Sequence, residues 1–293
     1  MALTACGGDT APATDAAGPP QVATTLGPSR FLAERLIGDS AEVFCDLPAG
    51  EDALHWQPGA EELRRIQGAD LAILMGAGAD GWRERVSLAD SRLVVVAEAF
   101  REQWIEVEES VTHTHGGGNE HSHAGSDPHA WMDPLLLLEG ASAVRDAVAR
   151  TLGPRGPRDL DQRMRSLEED LRGLHAALES VEVPEGAWIY TSHRAFDYLG
   201  RRYGWPLVNL DLDPTEAVGE EVRQTLALQL EARPGSLLLW ASEPTEEAAA
   251  SASELGLQSV LFDVGEDAAD GPTFLELQQS NVLRLQAALE ATR

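Results

Sequence analysis

The sequence predicts an α/β protein in two halves, each a mostly parallel sheet layered with helices, with one long helix between them. Three observations carry that expectation. Ala69–Gly76 (ADLAILMG) and Arg92–Ala97 (RLVVVA) are continuous apolar runs, as strands covered on both faces require. Short apolar runs alternate with helical segments before and after the middle of the chain, the pattern of a layered α/β architecture. Between the halves, Leu160, Met164, Leu167, Leu171, Leu174 and Leu178 recur at spacings that alternate four and three, which is one stripe of a helix. A helix over Asp159–Val181 would span on the order of 35 Å, enough to connect two lobes. The same heptads could also form a coiled-coil dimer, but three heptads are the minimum for that reading.

The elements follow in order. Gly7 to Gln21 is rich in Gly, Ala, Pro, Thr and Asp, the composition of a flexible tether. Phe31–Ile37 has helical spacing and stops at Gly38, and Ala41–Leu47 alternates as a strand does. Gly59–Gln67 is a helix with Leu63 and Ile66 inward, closed by Gly68. Pro134–Leu152 is a further helix, and Gly153-Pro154-Arg155-Gly156-Pro157 breaks the chain after it. In the second half Ala187–Thr191, Leu207–Leu210, Ser236–Trp240 and Ser259–Phe262 are strands, and Thr273–Ala291 is a final amphipathic helix. The expected divisions are a tether over 1–23, a first lobe over 24–154, a linking helix over 155–182 and a second lobe over 183–293.

Composition excludes some partners. Hydrophobic residues make up 43% of the 293, ordinary for a globular chain, but the net charge is −27 and all 22 basic residues are Arg. Nucleic acid is therefore excluded as a partner, because neutralising phosphate needs a basic face. Acidity spread over a whole chain speaks first for solubility, and second for a field that concentrates cations. No stretch approaches 18 apolar residues, so no helical span is expected. The two cysteines, Cys6 and Cys45, are too few for a disulfide framework. Leu3-Thr4-Ala5-Cys6 resembles the lipobox before the lipid-modified cysteine of bacterial lipoproteins, which makes Cys6 a lipidation candidate. No charged or apolar signal region precedes it, which points to a truncated start. Cys45 is expected to be a buried strand residue.

Five of the eight histidines fall between Val111 and Pro134. His113, His115, His121 and His123 form two H-x-H pairs around a glycine run, a tract that attracts metal. His129 stands apart, between Asp127-Pro128 and Ala130-Trp131, as one fixed ligand would. His55 follows the strand Ala41–Leu47 through a short loop, His193 lies two residues past the strand ending at Thr191, and Asp263 follows the strand ending at Phe262. Ligands of open α/β sheets gather outside the carboxyl ends of strands. Three imidazoles and one carboxylate suit Zn²⁺, and with neutral imidazoles such a site carries about one negative charge, which favours release of its cargo. Taken singly, each residue has a plainer reading: His55 and His193 as hydrogen-bonded structural histidines, Asp263 as a cap or turn. His175, beside the helix stripe, is read as a packing or surface residue.

Jointly these residues carry a resemblance. Leu47-Pro48-Ala49-Gly50, His55-Trp56-Gln57-Pro58 and Ala69-Asp70-Leu71 come first. Asp127-Pro128-His129-Ala130-Trp131 and Ser192-His193-Arg194-Ala195-Phe196-Asp197-Tyr198-Leu199 follow, then Arg202-Tyr203-Gly204 and Ser242-Glu243-Pro244. Asp263 precedes a last helix containing Asn281. In this order, from Val22 onward, the chain resembles the solute-binding proteins of zinc and manganese ABC uptake systems. The resemblance implies two α/β lobes joined by one rigid helix, with metal held between them by His55, His129, His193 and Asp263. It also implies an extracytoplasmic monomer, lipid-anchored through Cys6, that delivers its ion to a membrane permease and catalyses nothing.

A histidine-rich loop before the second ligand is typical of the zinc members, so Zn²⁺ is expected over Mn²⁺, with His113, His115, His121 and His123 as an auxiliary metal site. Val264 stands where the family commonly has proline, so Asp263 is the least secure ligand and Glu266 and Asp267 are alternatives. The rivals are a manganese- or iron-specific member, an adhesin-like surface protein, and a zinc hydrolase. The last lacks an H-E-x-x-H or similar motif, although Glu51, Asp133 and Glu243 could be nominated as bases.

Overall fold

The computed structural model describes residues 18–107, 125–233, 237–268 and 271–291, and the backbone alone of 113–115 and 119–121. Four strands, β1 (Gln21–Thr24), β2 (Glu42–Cys45), β3 (Leu71–Leu74) and β4 (Leu93–Val95), pair in parallel in the order β2-β1-β3-β4. All four side chains of β3 are buried, as the apolar run requires of a strand covered on both faces. Strand β1 was not expected. Residues 21–23, expected to belong to the tether, lie instead in Gln21–Thr24, an interior strand of this sheet. Its polar and small residues show no periodicity; pairing with β2 and β3 on either side makes the strand.

Helix α1 (Gly27–Ile37) begins earlier than its apolar spacing suggests. Pro28 suits the first turn, and Ser29 Oγ accepts the amides of Thr25 and Leu26 at 3.1 Å. Helix α2 (Ala60–Gly68) buries Ile66. Two short antiparallel pairs follow: β5 (Glu106–Val107) with β8 (Gly125–Ser126), and between them β6 (His113–His115) with β7 (Asn119–His121). Helix α3 (Pro134–Leu152) occupies the expected span, with the Asp133 carboxylate accepting the amides of Leu135 and Leu136. A Cβ at Gly140 would stand 2.2 Å from Val96, so a bare backbone is needed where α3 crosses that segment.

Helix α4 (Leu160–Glu179) buries Leu160, Leu167, Leu171, Leu174 and Leu178, the expected stripe. At 20 residues it spans about 30 Å. It packs against α1 and α3 of the first half and against the final helix of the second. Strands β9 (Ile189–Thr191), β10 (Leu207–Asn209), β11 (Leu237–Trp240) and β12 (Gln258–Leu261) form a second parallel sheet, ordered β10-β9-β11-β12. Helices α5 (Asp197–Tyr203), α6 (Glu220–Ala232), α7 (Glu246–Ser253) and α8 (Phe274–Ala291) complete the chain. Each sheet thus repeats one strand order, as two lobes of the same design do.

One apolar cluster runs from Val22 and Leu71 through Leu167 and Leu171 to Phe262 and Leu285, so the two sheets and α4 share a core. A smaller cluster, with Tyr190, Leu238 and Trp240, covers the remaining side of the second sheet. Cys45 lies in β2 but is half-buried rather than buried, with an unpaired thiol whose pKa burial pushes up. Cys6 lies outside the described residues. Among the described residues no helix is long and apolar enough to cross a membrane.

Candidate metal centre

His129 is the most enclosed of the candidates, 4% exposed, in the turn that leads into α3. Its Nδ1 lies 2.8 Å from Asp127 Oδ1, and the same oxygen accepts its backbone amide at 2.9 Å. Asp127 therefore fixes both the ring and the peptide, leaving Nε2 as the ring nitrogen on the far side from it. Nε2 is 3.2 Å from Glu266 Oε1, within ion-pair reach, yet it is a buried nitrogen without a hydrogen bond of proper geometry. Burial works against charge on this ring, but the carboxylates of Asp127 and Glu266 outweigh it and carry its pKa to about 10. A buried imidazole nitrogen facing a carboxylate is a place where a dication can replace a proton.

The turn carrying His129 is held by the second lobe at three points. Tyr198 Oη donates to the Asp127 carbonyl at 3.2 Å, Trp131 Nε1 donates to the Val264 carbonyl at 2.9 Å, and Arg202 Nε donates to Asp133 Oδ2 at 2.7 Å. Tyr198 is fully buried, and burial pushes its hydroxyl up to about 12.

His193 follows β9, at the point in the second sheet where the chain leaves between β10 and β11. Ser192 is tied to both neighbours: its amide donates to Leu239, its carbonyl accepts from Leu212 and its Oγ accepts from Ala241. That clasp delivers the His193 ring to 5.5 Å, centroid to centroid, from the His129 ring. His55 follows β2 on a tight turn in which Asp52 accepts the amides of Leu54 and His55 and sits 2.7 Å from His55 Nδ1. Trp56, packed edge-on against Trp82, roots this turn in the core. The hydrogen bond to Asp52 holds His55 above the usual imidazole range against its burial, and the charge of Glu266 adds to the effect.

Asp263 serves the loop after β12. Its Oδ1 accepts the Gly265 amide at 2.8 Å, and its carbonyl accepts from Gln278 and from Asn281, which is wholly buried. Burial pushes its carboxyl up, and the neighbouring Glu266 charge adds to this. Three residues on, Glu266 is the carboxylate that reaches His129. The loop is set by Gly265 (φ +74°), where a Cβ would strike Phe274, and by the Gly27 amide, which donates to the Glu266 carbonyl at 2.8 Å. Asp267 faces the first lobe instead, its Oδ2 accepting the Gly50 amide at 3.3 Å.

The structure thus brings His193 and Glu266 each beside His129, with His55 close enough for the Glu266 charge to act on it. Among the described residues, no three His, Cys, Asp or Glu side chains converge on one point as the ligands of a bound ion do. The sequence reading missed the orienting acids Asp52 and Asp127, although an acid two or three residues before a candidate histidine is a usable signal. In the histidine tract, β6 and β7 place His113 opposite His121 in backbone register, while His123 lies outside the described residues. His175 is a packing residue as expected, its Nδ1 3.0 Å from Tyr203 Oη.

A family model described as "ZnuA: Zinc-uptake complex component A periplasmic" matches residues 22–288. The zinc-binding lipoprotein AdcA of Streptococcus pneumoniae is 25% identical over 206 residues, 67% of this chain and 40% of that protein. The iron-binding protein YfeA of Yersinia pestis is 26% identical over 196 residues, 65% of this chain and 58% of its own. The chain thus spans from two fifths to under three fifths of these curated relatives. Among solved structures, the Zn(II)-bound ZnuA-like domain of Streptococcus pneumoniae AdcA superposes with a TM-score of 0.75 at 18% identity, covering 93% of this chain and all of that domain. The chain belongs to the ZnuA family, whose description is the periplasmic component A of the zinc-uptake complex.

Proposed function

We propose that the chain is the extracytoplasmic receptor of an ABC importer, capturing Zn²⁺ in the interlobe cleft and passing it to a membrane permease. The observation that carries this reading is the His129 ring, locked at Nδ1 by Asp127, with a buried Nε2 facing a carboxylate and a second imidazole from the other lobe. His55, His129 and His193 supply nitrogen donors that suit zinc. The fourth ligand comes from the loop that opens at Asp263, and Glu266, which reaches His129, is preferred to Asp263, one of whose two oxygens is engaged in its own turn. No covalent chemistry enters: the ion displaces protons, the lobes tighten and the cargo is handed over.

The histidines His113, His115, His121 and His123 hold further zinc weakly and feed or sense the main site. Cys6 carries a lipid anchor, and the receptor acts as a monomer. An iron- or manganese-specific receptor is the second reading, favoured by the iron-binding relative of similar identity. Metal content and competition titration of the full chain, against His55→Ala, His129→Ala and His193→Ala, test the assignment. One tight equivalent of zinc should be lost or weakened in each variant; tight binding unchanged in all three sinks it.

A further inference from the structure

The geometry points to Tyr198 as a positioning residue for metal capture, one hydroxyl that fastens the His129 ligand unit and the base of the histidine-rich excursion to the lobe carrying His193. This rests on the proposed metal centre and extends it to a residue that touches no metal.

The histidine-rich excursion, residues 108–124, is bracketed in sequence by the paired strands β5 and β8, which match Glu106 with Ser126 and Val107 with Gly125. Just below this pair, the Asp127 amide donates to the Ile105 carbonyl at 2.8 Å and closes the neck. Tyr198 Oη meets both residues of that closure. It accepts the Ile105 amide at 3.0 Å and donates to the Asp127 carbonyl at 3.2 Å, so its donor and an acceptor position are both used. Asp127 is the residue whose carboxylate sets the His129 ring. Tyr198 stands on α5, which follows His193 after a single turn of 3₁₀ helix. One short segment therefore supplies a nitrogen ligand and also the clasp that sets the opposing ligand.

The same helix grips the neighbourhood twice more. Arg201 donates to the Gln103 carbonyl at 2.7 Å and Arg202 to Asp133 at 2.7 Å, so α5 spans the turn from residue 127 to residue 133. The arginines sit at its margin, whereas the Tyr198 hydroxyl is fully buried and its two partners are backbone groups. Removing the hydroxyl would leave an amide and a carbonyl at the neck to find other partners, freeing Asp127 to shift and His129 with it.

The test is Tyr198→Phe in the full chain, which keeps the ring. Zinc affinity is read by competition titration, and release by stopped flow into excess chelator. Removing an outer hydrogen-bond partner of a metal ligand costs about 10–100-fold in affinity. Here the low end of that range is expected, carried by faster release with capture unchanged. A purely structural role would lower thermal stability and leave release alone. The same variant is made in a chain whose residues 108–124 are replaced by a short Gly-Ser turn. The fold-change should persist there; its disappearance would mean that Tyr198 acts through the excursion, and would overturn the assignment to Asp127 and His129.

Amide exchange in the unaltered protein gives a reading that needs no variant. Ile105 and Asp127 should become more protected with zinc bound, and unchanged protection counts against the proposal. Failure of the parent reading is distinguishable: in that case His129→Ala leaves tight binding intact. If His129→Ala abolishes tight binding while Tyr198→Phe shifts neither affinity nor release, only the present inference falls.

Discussion

His129 Nε2 stands 3.2 Å from Glu266 Oε1, an imidazole of the first lobe facing a carboxylate of the second. Asp127 holds the other ring nitrogen, so the carboxylate that meets Nε2 is Glu266, while the strand-end Asp263 has its Oδ1 on the Gly265 amide. Glu266→Gln keeps the shape and removes the charge. It should weaken zinc binding at the tight site by at least about tenfold in a competition titration. Asp263→Asn should leave affinity less affected, because an amide oxygen can still accept from Gly265. The reverse ranking would return the fourth ligand to Asp263.

The same pair predicts a pH signature. The folded-state pKa of His129 is about 10, against an ordinary value of 6.5, so the protonated ring stabilises the metal-free fold. That contribution is fully present below 6.5 and is lost as pH rises through about 10. Chemical denaturation of the metal-free protein between pH 7 and 10 should show stability falling, and His129→Ala should flatten the slope. It follows that zinc entering at neutral pH must expel a proton. Calorimetry in buffers of different ionisation enthalpy should report about one or more protons released per zinc. A value near zero would mean that His129 is already neutral.

Much of this design is legible in residue patterns, and the exceptions share a cause. The α4 stripe and the buried run of β3 are local signals strong enough to place both elements, because burial on a fixed period leaves a trace in the chain itself. Strand β1 leaves none: Gln21 and Thr24 become strand residues only when β2 and β3 flank them. The three histidines could be nominated from strand ends and motif order. The choice between Asp263 and Glu266 could not be made, since it turns on how Gly265 bends the loop and on the Gly27 amide from the other lobe. Tyr198 lies within the Ser192–Leu199 motif, but its partners are more than 70 positions away.

The two orienting acids should differ in weight. Asp127 is 1% exposed and Asp52 is 48% exposed. A buried carboxylate holds its imidazole with little competition from water, whereas water can take over much of what an exposed one does. Asp127→Asn is expected to cost about 10–100-fold in zinc affinity. Asp52→Asn should cost clearly less. Side-by-side titrations decide it, and equal losses would mean that the Asp52 turn closes over the ion once it is bound.

The connecting helix makes the last prediction. Leu171 is wholly buried on the α4 stripe, within an apolar cluster that reaches both sheets. Because the cluster is shared, neither lobe can lose its packing without exposing part of the other, and a stiff helix in such a seat limits any hinge to a small closing motion. Leu171→Ala opens a cavity in that common core and should cost about 2–5 kcal/mol of stability. The loss should appear as an earlier but still single transition, coincident by tryptophan fluorescence and far-ultraviolet circular dichroism, because both halves carry tryptophans, Trp131 in the first and Trp240 in the second. Two separated transitions in the variant would show instead that each lobe folds on its own and that α4 merely tethers them.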